Sequence, residues 1–308
     1  MNGVLALPVV LALCAALANA ASSVLQRRAA AADTPEAPAG TGAFLRGLRR
    51  LLHRPDWLGG VALLMLSALL QAWALAVGSL SLVQPLLATE LLFTLIVGGL
   101  VFRRRPDRRT WLAFVALAVG LAVFLLSAAP VPGRTDATSR AWLMAGGVAC
   151  CVVVLLVLVA RTVRGAARAA LLGLASAVSF ATTAALLKET VGRLRLGPGA
   201  MFAHWSPYAT AAVGLVAFLL LQSALGAGSL AASQPALTLG DALTSVALGW
   251  ALFEESVQLG PRMVPEAIGI VLIGAGSIGL ANAPSVGRGW DTPSEGHPPD
   301  THLPMRHN

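Results

Sequence analysis

The sequence predicts an all-α, multi-pass membrane protein of about nine transmembrane helices, and its composition and its long apolar runs support this class. Of its 308 residues, 56% are apolar and 12% are charged, whereas about a quarter of the residues in soluble domains are charged. Apolar runs of roughly 20 residues recur, and each can cross the ~30 Å hydrocarbon core as a helix. The runs are continuous and do not alternate with polar residues, which argues against a β-barrel.

The apolar runs divide the chain into two similar halves joined by one further span. We predict spans at 3–25, 57–77, 79–102, 110–129, 140–160, 167–188, 207–226, 229–252 and 263–282. Residues 1–129 form a first repeat with a flexible loop at 27–56, the span 140–160 links the halves, and residues 167–282 form a second repeat. The polar, Pro- and Gly-rich segment 283–308 is expected to be disordered and cytoplasmic.

The basic residues predict the orientation of the chain. Most of the 22 Lys and Arg residues lie after the first, third and fifth predicted spans or in the C-terminal tail. With nine spans, these segments share one side, so the positive-inside bias puts the N-terminus outside and the C-terminus in the cytoplasm of a cell (inner or plasma) membrane. The first span resembles a signal peptide, but its basic residues follow the apolar core, so we expect it to be retained. No nucleic-acid partner is expected, because the basic clusters are topology signals.

An internal repeat relates the third and eighth spans at an offset of 150 residues. The stretch "GSLSLVQPLLATELLFTLIVGG" begins at Gly78 and aligns without gaps with "GSLAASQPALTLGDALTSVALG" from Gly228. Spans an odd number apart cross the membrane in opposite directions, so the two copies are inverted. A weaker similarity between the first and sixth spans agrees, and it pairs Ser22 and Ser23 with Thr182 and Thr183. Inverted repeats are typical of secondary transporters, which bind substrate near the midplane.

The repeat also identifies the candidate site residues. Glu90 and Asp241 lie near the middle of their spans, where a charge costs about 2.5–3.5 kcal/mol and usually marks an ion or substrate path. Pro85 and Pro235 each remove a helical hydrogen bond, so they are predicted kinks or hinges. The remaining candidates for substrate or ion binding are Gln84, Gln234, Ser22, Ser23, Thr182 and Thr183. Packing between helices is an equal alternative for the glutamines, and bonding back to their own helix for the hydroxyls.

Other ionisable residues are expected to serve the membrane surface. Lys188, Glu189, Glu254 and Glu255 end predicted spans, where solvation at the interface explains them. We predict no enzyme, because no histidine lies in a predicted span and no nucleophile–base set appears there. No cofactor is predicted, and the absence of a GxxxxGK[ST] loop argues against ATP coupling within this chain. Whether a metal binds is left open.

Two stretches resemble the drug/metabolite transporter superfamily, the EamA-like proteins. They are "LSLVQPLLATELLFTLIVGGLVFRRRPDRRTWLAFVALAVGLAVF" and "AASQPALTLGDALTSVALGWALFEESVQLGPRMVPEAIGIVLIGAG". Within the superfamily, "ANAASSVLQRRA" followed by "WLGGVALLMLSALLQAWALAVGSLSLVQPL" is most similar to the NIPA-type magnesium transporters. The chain departs from the ten-span pattern by lacking one helix, and "FRRRPD" lacks the glutamate that "FEE" keeps.

The repeat and the resemblance together imply a secondary transporter that works by alternating access. Glu90 and Asp241 would bind a coupling proton or a cation, and the substrate would be magnesium or a proton-coupled metabolite or drug. A non-transporting scaffold or regulatory subunit and a lipid-handling, flippase-like protein are the alternatives. Small residues that allow close helix packing leave a homodimer open: Gly98, Gly99, Gly146, Gly147, Gly274 and Gly276.

Overall fold

The computed structural model describes residues 3–31, 55–101, 107–128, 133–227, 230–255 and 263–282, which are almost entirely helical and contain no strand. A 3₁₀ turn, Leu194–Leu196, follows the long central helix Gly165–Arg193. In chain order, the helices of the described residues are α1 Gly3–Ala31, α2 Pro55–Val77, α3 Leu80–Leu87, α4 Glu90–Val101, α5 Arg108–Ala128, α6 Ser139–Thr162, α7 Gly165–Arg193, α8 Pro198–Phe202, α9 Ser206–Ala227, α10 Leu230–Phe253 and α11 Met263–Ala281.

The helices confirm a multi-pass membrane architecture. In the described part of the chain, eight segments are long and apolar enough to cross a bilayer, and α3 and α4 together form one of them. These eight correspond to the first eight predicted spans. The ninth corresponds to α11, whose apolar stretch Ala267–Gly279 is shorter than the others.

Both ends of the predicted loop 27–56 belong to helices. Helix α1 continues to Ala31 and α2 begins at Pro55, so the two ends of the predicted loop 27–56 are helical. Ala29 is fully buried, and the ion pair Arg28–Asp56 at 3.7 Å joins the two helix ends. The rest of that loop and the predicted disordered tail 283–308 lie outside the described residues.

The third span is two helices, although the sequence predicted one continuous span at 79–102. The chain leaves α3 at Ala88 and Thr89, three residues beyond Pro85. There the N–H groups of Ala88 and Thr89 donate to the carbonyls of Pro85 and Leu86 at 3.1 and 3.0 Å, and the Thr89 hydroxyl donates to Leu86 at 2.7 Å. These short-range bonds close the last turn of α3 and replace the continuing α-helical pattern. In the second copy, α10 continues through Pro235 without interruption.

The helices pack in two corresponding groups. Helix α1 packs against α2 and against α3 and α4, and in the same way α7 packs against α9 and α10. The groups meet where α3 contacts α10 and where α5 lies along α11. Helix α7 is buried over most of its length, whereas α6 and α9 expose most of their apolar side chains, as lipid-facing helices do.

Serine hydroxyls bridge the first two helices of each group. The Ser22 hydroxyl donates to the Gly60 carbonyl at 2.6 Å, and Ser67 donates to Ala15 at 2.8 Å. In the second group, Ser176 on α7 donates to Ala217 on α9 at 2.9 Å. Such bonds contribute to helix association in a medium that offers no competing water.

Glycines allow α5 and α11 to approach closely. A Cβ at Gly120 would lie 2.9 Å from the Gly269 carbonyl oxygen, and one at Gly276 would lie 2.5 Å from the Leu117 nitrogen. This contact joins the two halves through backbone atoms. A Cβ at Gly146 or Gly147, by contrast, would meet no atom within 4 Å.

Side chains cap two of the spanning helices. At the start of α5, Asp107 accepts from the Thr110 hydroxyl and, at 3.1 Å, from the Thr110 N–H. These bonds stabilise the carboxylate and hold the pKa of Asp107 below its ordinary value. At the start of α6, the Thr138 hydroxyl accepts from the Ala141 N–H at 3.2 Å.

Candidate functional site

A polar stripe runs along one face of α10 and consists of Thr238, Asp241 and Ser245. Spacings of three and four residues place these side chains above one another on a helix. The Asp241 Oδ1 atom and the Ser245 Oγ atom are buried, and neither has a hydrogen-bond partner among the described residues. Thr238 is also buried. Within this membrane span, α10 therefore carries buried polar atoms that the part of the chain described by the structure leaves unsatisfied.

The packing around α10 shows where the stripe points. A Cβ at Gly240 would meet Leu174 and Ala177 on α7, and the Leu239 side chain lies against Gly274 on α11. A Cβ at Gly249 would meet the Ser81 hydroxyl at the start of α3. Successive residues of a helix are rotated by 100° about its axis. On α10 the stripe therefore lies between the face that packs on α7 and the face that packs on α3, and it points away from α11. The stripe thus faces the centre of the bundle, where the two halves meet.

The structure distributes the other predicted site residues over several helices. Glu90 begins α4, which packs against α1, whereas Asp241 lies on α10. Gln84 is buried on α3, and the side chain of Gln234 lies outside the described residues. The Ser22 hydroxyl donates to α2, and Ser23 is half-buried.

The threonine pair on α7 bonds to its own helix. Thr182 donates to the Val178 carbonyl at 2.7 Å, and Thr183 donates to the Ser179 carbonyl at 2.8 Å. Both bonds span four residues, the back-bonding arrangement that the sequence left open as an alternative. The methyl group of Thr183 also lies against Gly214 on α9. These two side chains therefore face different neighbours from the stripe on α10.

A buried ion pair joins the two halves near one end of the bundle. Lys188 and Glu255 are 2% and 0% exposed, and the Lys188 Nζ atom donates to Glu255 Oε1. The same carboxylate accepts from the N–H groups of Leu80 and Ser81 at 2.6 and 2.9 Å and from the Ser81 hydroxyl at 2.6 Å. Lys188 Nζ also lies 4.7 Å from the ring centre of Phe253. We call Lys188, Glu255 and Ser81 the charged cluster.

The backbone after α10 turns Glu255 into the bundle. Glu254 has a φ of 53°, a left-handed conformation that is uncommon for a residue with a Cβ. The Glu255 N–H then donates to the Gly249 carbonyl at 3.1 Å, which folds the chain back over the helix end. Glu254 itself points outward and pairs with Arg134 at 3.3 Å. Adjacent glutamates therefore have opposite environments.

Glu189 follows Lys188 in the sequence, but its carboxylate contacts a different helix, α6. Its carboxylate is 1% exposed and accepts from Arg193 at 2.8 Å, from the Ala137 N–H at 2.9 Å and from the Trp142 indole at 3.3 Å. These contacts attach the start of α6 and the loop before it to α7. The two neighbouring charges of α7 thus bind two different helices.

The interpretation of Lys188, Glu189 and Glu255 as solvated interfacial residues was wrong, since all three are buried and paired. Of the four residues interpreted as solvated and interfacial, only Glu254 is exposed. One sequence signal could have identified the cluster, because Lys188 is the single lysine among 22 Lys and Arg residues. Lysine is a compact charge whose pKa shifts readily on burial, whereas arginine stays charged, so one lysine in an arginine-rich chain marks a special position.

The described residues contain no group of three or more His, Cys, Asp or Glu side chains arranged to hold a metal ion. A cation bound there would therefore need hydroxyl, amide and carbonyl oxygens as well as one carboxylate. Such ligands suit weakly held, exchanging cations better than a permanent metal centre.

Comparison with known proteins finds a similarity that extends over most of both chains. The chain is 28% identical over 256 residues to an uncharacterized protein of Corynebacterium glutamicum, and the match covers 82% of this chain and 86% of that protein. No family model and no solved structure matches the chain. The function is therefore inferred from the geometry of the chain itself.

Proposed function

We propose that the protein is a secondary transporter that moves a small solute or cation across the cell membrane by alternating access. The observation that carries the proposal is the pair of buried atoms Asp241 Oδ1 and Ser245 Oγ, one turn apart on a membrane-spanning helix and without hydrogen-bond partners among the described residues. Polar residues inside a membrane bundle usually mark ion or substrate paths.

The energetics favour a ligand at these atoms. A buried polar group without a partner destabilises the fold by about 1–3 kcal/mol, and a carboxylate by more. A proton or a cation on Asp241 removes most of that penalty. A site that is unsatisfied alone and satisfied when occupied is what a coupling or binding carboxylate requires.

The architecture supports a transporter with inverted repeats. The sequence offset that relates the third and eighth spans is matched by the corresponding packing of the two helix groups, α1 with α2 to α4 and α7 with α9 and α10. If α11 is a ninth span, the N- and C-termini lie on opposite sides of the membrane. The distribution of basic residues then favours an N-terminus outside and a C-terminus in the cytoplasm. The resemblance to the drug/metabolite transporter superfamily leads to the same proposal.

The substrate class follows from the chemistry of the stripe. A carboxylate with neighbouring hydroxyls offers oxygen ligands to a hard cation such as magnesium, or holds a proton that drives export of a metabolite. We propose Asp241 as the ligand with the clearest structural support, and Glu90, at the broken third span, as the second. Pro85 and Pro235 would let the two proline spans bend as the cavity changes sides.

The test is a flux assay in proteoliposomes that hold a trapped magnesium indicator or, in parallel, a trapped pH indicator. We expect a magnesium or proton gradient to produce flux in the wild type, and we expect Asp241→Asn and Glu90→Gln to lower that flux to the level of empty liposomes. Glu254→Gln is the matched control, because it makes the same acid-to-amide change at an exposed end of the same helix. We expect it to keep the wild-type rate.

The assay can contradict the proposal in two ways. If both site variants carry the same probe at unchanged rates and pH dependence, the carboxylate mechanism is wrong. If the wild type moves none of a panel of divalent cations, protons and labelled metabolites faster than empty liposomes, the transporter proposal fails.

A further inference from the structure

We infer that the charged cluster is the gate that closes one end of the path along the polar stripe, and that it opens when Glu255 leaves the start of α3. This inference rests on the proposed function, since a gate needs a path to close. The cluster joins α3 of the first group to α7 and the end of α10 in the second. Any motion that separates the groups at this end must therefore break it.

The cluster lies directly beyond the stripe. Gly249 follows Ser245 by one turn on the same face of α10, and a Cβ at Gly249 would collide with the Glu255 carboxylate and the Ser81 hydroxyl. The cluster therefore covers the face that carries Asp241 and Ser245. Because Lys188 and Glu255 are almost completely buried, this end of the path is closed in the structure.

A second side chain, Ser79, is placed where it could cap the first turn of α3. Ser79 is the N-cap residue and has the extended backbone of a cap, yet its hydroxyl makes no capping bond and is buried without a partner among the described residues. Glu255 takes the cap position instead, because it accepts from the N–H groups of Leu80 and Ser81. A serine at this position normally accepts from the second or third N–H of its helix.

The two caps give the gate two states. In the closed state Glu255 caps α3, and the Ser79 hydroxyl has no partner among the described residues. In the open state the Ser79 hydroxyl accepts from the Ser81 N–H, the second of the helix, so one of the two N–H groups that Glu255 releases stays capped. The exchange lowers the free energy of opening, because the Ser81 N–H keeps an acceptor when Glu255 leaves. Lys188 is the natural counter-charge, since an ammonium keeps three donors and turns freely as its partner moves.

The single lysine makes opening measurable. Lys188 is the only lysine side chain in the protein, so a membrane-impermeant acetylating ester labels it uniquely, and mass spectrometry of its peptide separates it from the N-terminal amine. Purified protein in liposomes is treated with the ester added outside, and the labelling rate is compared with that of protein unfolded in SDS. We expect slow labelling of the wild type, limited by opening of the gate.

Two serine variants should change the rate in opposite directions. Ser81→Ala removes one bond to the carboxylate, so we expect opening and labelling to increase about tenfold or more, the effect of a hydrogen bond to a charged group. Ser79→Ala removes the reserve cap, so we expect labelling to slow by about fivefold, the effect of an N-cap. Neither variant changes a charge. Ser79→Ala deletes a hydroxyl without a partner, so it should fold and carries the test alone if Ser81→Ala does not.

Equal labelling rates in the wild type and Ser79→Ala would overturn the gate, as would wild-type labelling as fast as that of unfolded protein. The result separates the gate from the proposed function. If the protein transports a probe but the serine variants label at the wild-type rate, it is a transporter whose gate is not the charged cluster. Opposite shifts in labelling without flux of any probe would show that the cluster opens in a protein that does not transport.

Discussion

Two carboxylates on the same stretch of chain, Asp241 and Glu255, have opposite environments. Glu255 receives four hydrogen bonds, from Lys188, from the Ser81 hydroxyl and from two backbone N–H groups. Asp241 has one oxygen that is buried without a partner among the described residues, and Ser245 beside it shares this condition. Both carboxylates lie within or at the end of a membrane span.

This difference distinguishes a carboxylate that keeps helices together from one that can bind a ligand. A carboxylate whose oxygens are all satisfied by the protein gains nothing from a ligand, and it keeps the elements around it together. A carboxylate that the protein leaves unsatisfied becomes more stable when a proton or a cation binds. Under the proposed function, hydrogen-bond satisfaction favours Glu255 as part of the closed gate and Asp241 as part of the binding path.

The largest expected effect comes from breaking the buried ion pair on one side only. Lys188→Met leaves the Glu255 carboxylate without its counter-charge, and we expect the free energy of unfolding to fall by about 3–5 kcal/mol. The double variant Lys188→Met with Glu255→Gln should recover much of that loss, because neither charge of the pair remains. Thermal unfolding in detergent measures both, and a double variant no more stable than the single one would argue against charge as the cause.

Replacing Asp241 should have the opposite effect on stability. Asp241→Asn removes a charge whose buried Oδ1 atom has no partner among the described residues, so we expect unfolding stability to stay equal or to rise by about 1 kcal/mol, while flux is lost. Thermal unfolding and the flux assay on the same preparation check both parts. A loss of stability comparable to that of Lys188→Met would show that Asp241 is structural and would remove the basis for the binding path.

A smaller effect is expected from adding a methyl group beneath the gate. Gly249→Ala places a Cβ against Glu255 and Ser81, so we expect a loss of about 1–3 kcal/mol and faster acetylation of Lys188. Gly147→Ala is the matched control, because its Cβ would meet no atom within 4 Å and its effect should stay within about 0.5 kcal/mol. Equal effects of the two variants would contradict the close contact at Gly249.

The smallest effect is expected at the neighbouring exposed pair. Arg134 and Glu254 lie 3.3 Å apart at the surface, with most of the Glu254 side chain exposed. Arg134→Ala should lower stability by less than about 1 kcal/mol, because water and salt screen the pair. Salt titration of thermal unfolding checks this, and an effect as large as that of Lys188→Met would place the important charge at Glu254 instead of Glu255.

The sequence predicted the helical membrane class because apolar runs of bilayer length need no tertiary information. It also predicted a special role for the proline spans, since the repeat at Gln84-Pro85 and Gln234-Pro235 is visible without structure. It did not predict that only the first copy breaks. At the break the Thr89 hydroxyl donates to the Leu86 carbonyl, whereas the aligned position in α10 is Leu239, which has no such donor.

The charged cluster could not be predicted from span positions. Residues at the ends of apolar runs are usually solvated, and only the left-handed turn at Glu254 directs Glu255 inward. The partner residues come from positions more than 60 apart in sequence, Lys188 on α7 and Ser81 on α3. A single sequence contains no signal for such a contact except the unusual choice of one lysine.

The most direct test of the binding path is the reactivity of cysteines placed on α10. In a background without Cys14, Cys150 and Cys151, Ser245→Cys lies on the polar stripe and Leu243→Cys lies on the exposed, lipid-facing side. A water-soluble thiosulfonate reacts with thiolates, which form only in contact with water. We predict that Ser245→Cys reacts many times faster than Leu243→Cys, and faster still when combined with Ser81→Ala. Equal rates, or no reaction at Ser245→Cys in either background, would contradict a water-accessible path along α10.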